Sequence, residues 1–241
     1  MIMESKADTT DKLKLNPPIL LINFKAYPQG TGENAVKLAE IVEDVSNSFK
    51  DVTFVIAPQT IDLRLVNKVV KNTKIFAQHV DPVHLGAFTG STPPELVKKV
   101  GAVGTLLNHS ERRVTHEIIK KTIEINKEVG LITCACAGSP EESGKIAQYY
   151  PEFLAFEPPE LIGTGISVSK AKPEVLKKSI ENILAKGNGK VIPLCGAGIS
   201  NGDDVAKAIE LGAKGVLVAS AVVKSKDPYS ILHEMAEAAS V

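Results

Sequence analysis

Four side chains in the sequence stand where packing has no use for them. Asn23 and Lys25 follow an apolar run in "LLINFKAYP", His109 follows another in "TLLNHSERR", and Glu157 closes a third in "FLAFEPPELIGTG". A carboxylate, an imidazole and an ammonium group are the parts of a proton-transfer site. The first can take a proton, the second can hydrogen-bond an oxygen on which charge develops, and the third can hold an anion in place. Each also has an ordinary reading. A lysine after a strand can snorkel to water, a strand-end glutamate is commonly solvated, and a lone histidine is more often structural, which is where His79, His84, His116 and His233 are placed. His109 differs because Ser110 behind it is fit to cap a helix beginning at Glu111, whose positive end disfavours a protonated ring. Glu157 differs because Pro158 restricts its backbone to extended conformations and Pro159 stiffens the next stretch of chain, so the carboxylate is aimed.

Three glycine-bearing stretches accompany these groups. "LIGTGIS" is small between stiff ends, as a lid on hinges would be, and equally as a connecting or phosphate-binding loop would be. "CGAGISNGDD" and "VASAVV" place backbone N–H groups near helix starts, which suits a phosphate, although tight turns require glycine as well.

The elements that must position these residues follow from hydrophobic patterning. Eight short apolar runs, "ILLIN", "TFVIA", "KIFAQ", "GTLLN", "LITCA", "FLAFE", "VIPLC" and "GVLVA", alternate with longer amphipathic segments. Continuous apolarity suits strands buried on both faces, and a helical-period segment after each is the pattern of parallel βα units. Gly130 and Gly212 sit where helices stop, and Pro173 fits a first helical turn. Eight regular repeats favour a closed (β/α)8 barrel, a single catalytic domain over residues 17–241, over an open doubly wound sheet. The polar segment 1–16, "MIMESKADTTDKLKLN", is expected to be a flexible N-terminal tail and lacks the apolar centre of a signal peptide.

Composition narrows the partners. Lys plus Arg and Asp plus Glu are each 28, so no overall field gathers nucleic acid or an anionic membrane, and an anionic substrate needs a local site. No run reaches the roughly 18 apolar residues of a membrane span. Cys134, Cys136 and Cys195 lie in apolar strand contexts, which argues against a disulfide scaffold and for a reducing, cytoplasmic setting. Alternation puts Cys134 and Cys136 on one strand face as small hydrophobes rather than metal ligands.

"NFK", "HSERR", "EPPELIGTG", "CGAGIS" and "LVAS", in this order and each after its strand, resemble the triosephosphate isomerase family, in particular its short archaeal branch, over residues 18 to 240. The resemblance implies interconversion of dihydroxyacetone phosphate and D-glyceraldehyde 3-phosphate, in glycolysis and gluconeogenesis, with no metal or cofactor. It implies Glu157 as the base, His109 as the neutral group that hydrogen-bonds the carbonyl and enediolate oxygens, and Lys25 as the fixed charge. Asn23 and Phe24 would help shape the substrate site, and Glu111 would stand near the lysine with Ser110 beside it. The lid would run from Pro158 to about Lys170, with phosphate contacts at Ile162, Gly163, Gly198, Ala219 and Ser220. Ala219 and Ser220 replace a Gly-Gly pair of the bacterial and eukaryotic pattern, and Pro-Pro-Glu follows Glu157 in place of Pro-Val-Trp. The resemblance also implies a homo-oligomer, a tetramer ahead of a dimer, with residues 79–92 as a contact. A sugar-phosphate synthase or aldolase on the same fold would need a Schiff-base lysine inside the barrel or carboxylates for Mg²⁺, and neither is evident at the strand ends. A non-catalytic phosphosugar-binding barrel would be free to lose Glu157, His109 and Lys25.

Overall fold

The computed structural model describes residues 15–161 and 167–240. The eight apolar runs form the strands β1 (Ile19–Asn23), β2 (Thr53–Ala57), β3 (Lys74–Ala77), β4 (Gly104–Leu107), β5 (Ile132–Ala137), β6 (Phe153–Phe156), β7 (Ile192–Cys195) and β8 (Gly215–Val218). Each pairs in parallel with its neighbour in chain order, and β1 pairs with β8 from Ile19 opposite Gly215 to Ile22 opposite Val218, which closes a single (β/α)8 barrel.

The period of two within each strand divides the core into two layers. Ile19, Leu21, Val55, Phe76, Leu106, Cys134, Cys136, Phe153, Ala155, Leu194 and Leu217 fill the interior. Leu20, Ile22, Phe54, Ile56, Phe156 and Val216 face the surrounding helices. Burial on both faces is why the strands are continuously apolar. All three cysteines are free and buried, and burial pushes their thiols up, so they behave as small hydrophobes.

The outer ring contains α1 (Glu33–Ser48), α2 (Leu63–Val66), α3 (Pro94–Lys99), α4 (His116–Val129), α5 (Pro140–Ala147), α6 (Val168–Ala171), α7 (Pro173–Lys186), α8 (Gly202–Glu210), α9 (Ser220–Val223) and α10 (Pro228–Ala239). Pro173 opens α7, and Gly130, at φ 70, ends α4 in the left-handed conformation that glycine adopts without strain. Among the described residues no helix is long and apolar enough to cross a membrane.

Two expectations change. The helix expected from Glu111 begins at His116, with the Thr115 side chain accepting the Ile118 N–H as its cap. Residues 109–112 instead form a turn in which the Arg112 N–H donates to the His109 carbonyl, while Asn108 Oδ1 takes the Val114 N–H. A side-chain acceptor has displaced the first helical turn. At the start of the chain, Leu15 and Asn16 belong to the fold rather than to a tail. Leu15 is 5% exposed within the interior cluster, and the Asn16 carbonyl accepts Thr53 Oγ1 at 2.6 Å. Residues 1–14, the rest of the expected tail, lie outside the described residues.

Candidate active site

The inward face of β6 runs Phe153, Ala155 and then, one step past the strand, Glu157. Its N–H donates to the Ala137 carbonyl at the end of β5, so the carboxylate continues the interior row and enters the barrel mouth. Glu157 is 3% exposed, its Oε1 lies 3.5 Å from His109 Nε2, and its Oε2 is buried with no hydrogen-bond partner among the described residues. Burial raises its carboxyl above the ordinary carboxylate range, against the opposing pull of His109, the Cys136 thiol and Lys25. Such a group is a strong proton acceptor once ionised.

Space for that carboxylate comes from β7. The interior row Leu194, Gly196 places a glycine against it, and a Cβ on Gly196 would stand 2.5 Å from Glu157 Cγ. Gly196 enters the sequence reading only as part of the glycine-bearing turn "CGAGISNGDD", and nothing there points to Glu157, although counting by twos from Leu194 puts it on the inner face.

His109 reaches the pocket through a break in alternation. The interior row of β4 points to Asn108, but Asn108 adopts φ 60, a conformation asparagine tolerates, and its side chain turns to the Cys136 carbonyl and the Val114 N–H. His109 then takes the place facing Glu157. Its Nδ1 accepts the Glu111 N–H at 3.2 Å, so that nitrogen carries a lone pair and the ring proton sits on Nε2, toward the pocket. The hydrogen bond comes from a turn, not from the helix end expected at Ser110. Ser110 Oγ is buried without a hydrogen-bond partner among the described residues.

Lys25 follows β1 with φ 49, a left-handed conformation that costs a side-chain-bearing residue on the order of 1 kcal/mol. Asn23 Oδ1 accepts its N–H at 2.9 Å, and its Nζ lies 2.8 Å from Glu111 Oε1. The predicted proximity of Glu111 to the lysine is therefore present in the geometry. Phe24 is placed differently from expectation. It is fully buried in the outer layer, where alternation turns it toward the helices and away from the pocket.

Asn23, Lys25, His109 and Glu157 line an open pocket together with Gly196, Gly198, Ala219 and Ser220. Tyr27, Ala197, Ile199, Ser200, Leu217 and Val218, which lie within the quoted motifs but carry no role of their own there, complete the wall. The turn after β7 is braced by Asp204, whose Oδ2 accepts the Ser200 N–H and whose Oδ1 lies 2.8 Å from Lys170 Nζ. Ile162 and Gly163, expected at the phosphate, lie outside the described residues, as does 162–166 of the expected lid. Beyond these, the segment expected as a lid continues into α6, where the Val168 N–H donates to the Ala197 carbonyl. A buried carboxylate facing an Nε2–H, with an ammonium at the same pocket, is equipped to move a proton beside a carbonyl of an anionic substrate.

The sequence matches the family model described as triosephosphate isomerase over residues 18–238. It is 47% identical over 221 residues to the protein named triosephosphate isomerase of Methanothermus fervidus, covering 92% of this chain and 98% of that one. Its identity to the triosephosphate isomerase of Saccharolobus solfataricus is 44%, over 91% of this chain and 95% of that one. With that of Methanosarcina acetivorans it is 44%, over 92% and 98%.

Proposed function

The chain belongs to the triosephosphate isomerase family, and from that premise we propose that its pocket interconverts dihydroxyacetone phosphate and D-glyceraldehyde 3-phosphate by proton transfer through an enediolate. The observation that carries the proposal is the buried Glu157 carboxylate facing His109 Nε2. Ionised Glu157 takes a proton from the carbon beside the carbonyl, and the released electron pair moves to the carbonyl oxygen. His109 gives its Nε2 proton to that oxygen and takes back the proton of the adjacent hydroxyl, whose oxygen becomes the new carbonyl, while protonated Glu157 returns its proton to the former carbonyl carbon. Lys25, whose ammonium lies beside Glu111, places positive charge beside the phosphorylated intermediate. Backbone N–H groups at Gly198, Ala219 and Ser220 receive the phosphate, with Ile162 and Gly163 from a lid that keeps water out. Asn23 acts through the Lys25 backbone, and no metal or cofactor takes part.

A coupled assay of the two triose phosphates tests the reaction, and Glu157→Asp tests the base. Shortening the side chain withdraws the carboxylate by roughly 1 Å, and kcat is expected to fall on the order of 10²-fold with KM little changed. Wild-type turnover in Glu157→Asp would remove Glu157 from the mechanism.

The chain acts as a homo-oligomer in the cytoplasm, a tetramer ahead of a dimer. The support is an exposed apolar loop: residues 78–93 form no strand or helix, and Leu85 and Phe88 there are 60% and 49% exposed. Light scattering during size-exclusion chromatography measures this, and a monomer at micromolar concentration would refute it.

A further inference from the structure

The backbone carbonyl of Lys25 receives two amide donors at once. Gln59 Nε2, from the loop after β2, and Gln78 Nε2, from the residue that follows β3, each lie 3.0 Å from it. Both lone pairs of the oxygen are thereby engaged. The second hydrogen of the Gln78 amide goes to the Ala57 carbonyl at 2.9 Å, which also accepts the Phe24 N–H. On the other side of the residue, Asn23 Oδ1 takes the Lys25 N–H. Lysine gains nothing locally from φ 49, and such a conformation persists only where its surroundings over-determine it. Here every backbone polar group of the residue is taken by a side-chain amide.

The other contact of Lys25 is too loose to do this work. Its ammonium meets Glu111, whose side chain is 58% exposed, and an ion pair with a solvated partner fixes little. If the carbonyl turned away, the chain could relax toward an ordinary backbone conformation and carry the ammonium off its line into the pocket. We infer that Gln59 and Gln78 are positioning residues of the active site, clamping the Lys25 carbonyl so that the left-handed turn delivers the ammonium to the phosphorylated substrate. The inference rests on the reading of Lys25 as the charge that holds the substrate. It brings in two loops that contribute no other side chain to that reading.

The experiment is a double-mutant cycle. Gln78→Met keeps the length of the side chain and removes both donated bonds, and Gln59→Met removes the single bond from the loop after β2. Calorimetry gives the dissociation constant of a phosphorylated carboxylate that mimics the enediolate, with each variant in the wild-type and Lys25→Met backgrounds. In the wild-type background Gln78→Met should weaken the analogue about tenfold, as loss of a hydrogen bond that orients a charge does, and Gln59→Met by less. In the Lys25→Met background both effects should vanish, because no ammonium is left to place. A role confined to general stability predicts equal losses in both backgrounds. That result, or unchanged affinity of both variants in the wild-type background, overturns the inference. Unchanged affinity in Lys25→Met alone would instead overturn the reading of Lys25, and the inference with it. Should Gln78→Met fail to fold, Gln59→Met carries the same cycle.

Discussion

Glu157 pits function against stability at a single residue. Burial holds its carboxyl above the ordinary carboxylate range, so the folded protein binds its proton more tightly than the unfolded chain does. Stability from this group is fully present below the unfolded value, near 4.5, and is lost as pH rises through the higher folded value. Glu157→Gln, which cannot ionise, should therefore melt several degrees above the wild type at neutral pH while losing turnover, and the gap should close as pH falls toward the ordinary carboxylate value. Thermal melts of the two proteins across pH measure it, and an equal or lower melting temperature for Glu157→Gln at pH 7 would contradict the assignment. The acid limb of kcat/KM should likewise lie above the ordinary carboxylate range, since the base must be ionised to act. At Gly196, a Cβ would come within 2.5 Å of Glu157 Cγ, which makes Gly196→Ala a displacement of the base. Its kcat should fall on the order of 10²-fold, with the fold retained by circular dichroism. Glu157, His109 and Lys25 were legible in the sequence because their types have no packing role at strand ends. Gln59, Gln78 and the place of Gly196 beside Glu157 were not, because a glycine contributes space and an amide that clamps a carbonyl looks like any polar loop residue. Phe24 was drawn into the expected site only by its neighbours, and burial in the outer layer explains it fully.

The segment between β4 and α4 shows how an element boundary decides what holds His109 in the pocket. Ser110 has the chemistry of a cap, and nothing in the sequence separates it from Thr115, which does the capping. The difference lies in Asn108, whose side chain takes the Val114 N–H that a helix from Glu111 would have used internally. Thr115→Ala should cost about 1 kcal/mol and lower the melting temperature by roughly 2–4 °C, while Ser110→Ala should leave helix content unchanged by circular dichroism. The reverse ranking would restore a helix start at Glu111. A second boundary, α6, is stitched to the turn after β7 and to α8 by Val168 N–H to Ala197, Ser169 Oγ to the Asp204 carbonyl, and Lys170 to the Asp204 carboxylate. Lys170→Met removes the ionic stitch, and KM for the triose phosphates should rise with secondary structure unchanged. An unchanged KM would make the pair a surface contact only.

At the scale of the molecule, the eight strands were legible because burial on both faces leaves an unbroken apolar run, and their count with regular spacing implied closure. The place of Leu15 in the interior was not, because a single leucine after a polar stretch carries no period. Leu15 lies in the interior cluster with Ile19 and Phe153, so Leu15→Ala should cost about 2 kcal/mol or more, read as a lower midpoint in a urea titration. A midpoint equal to that of the wild type would place Leu15 outside the core. The seam between β1 and β8 has a consequence for how the protein comes into being. During synthesis β1 emerges first of the strands and β8 last, so the first strand waits with one edge unpaired while nearly the whole chain is made. The pocket draws Lys25 from one side of that seam and Ser220 from the other, so an unfinished chain can hold correct helices and several correct strand pairs yet have no assembled site. Activity in a nascent-chain experiment should arrive abruptly, with the last strand, and not in proportion to length.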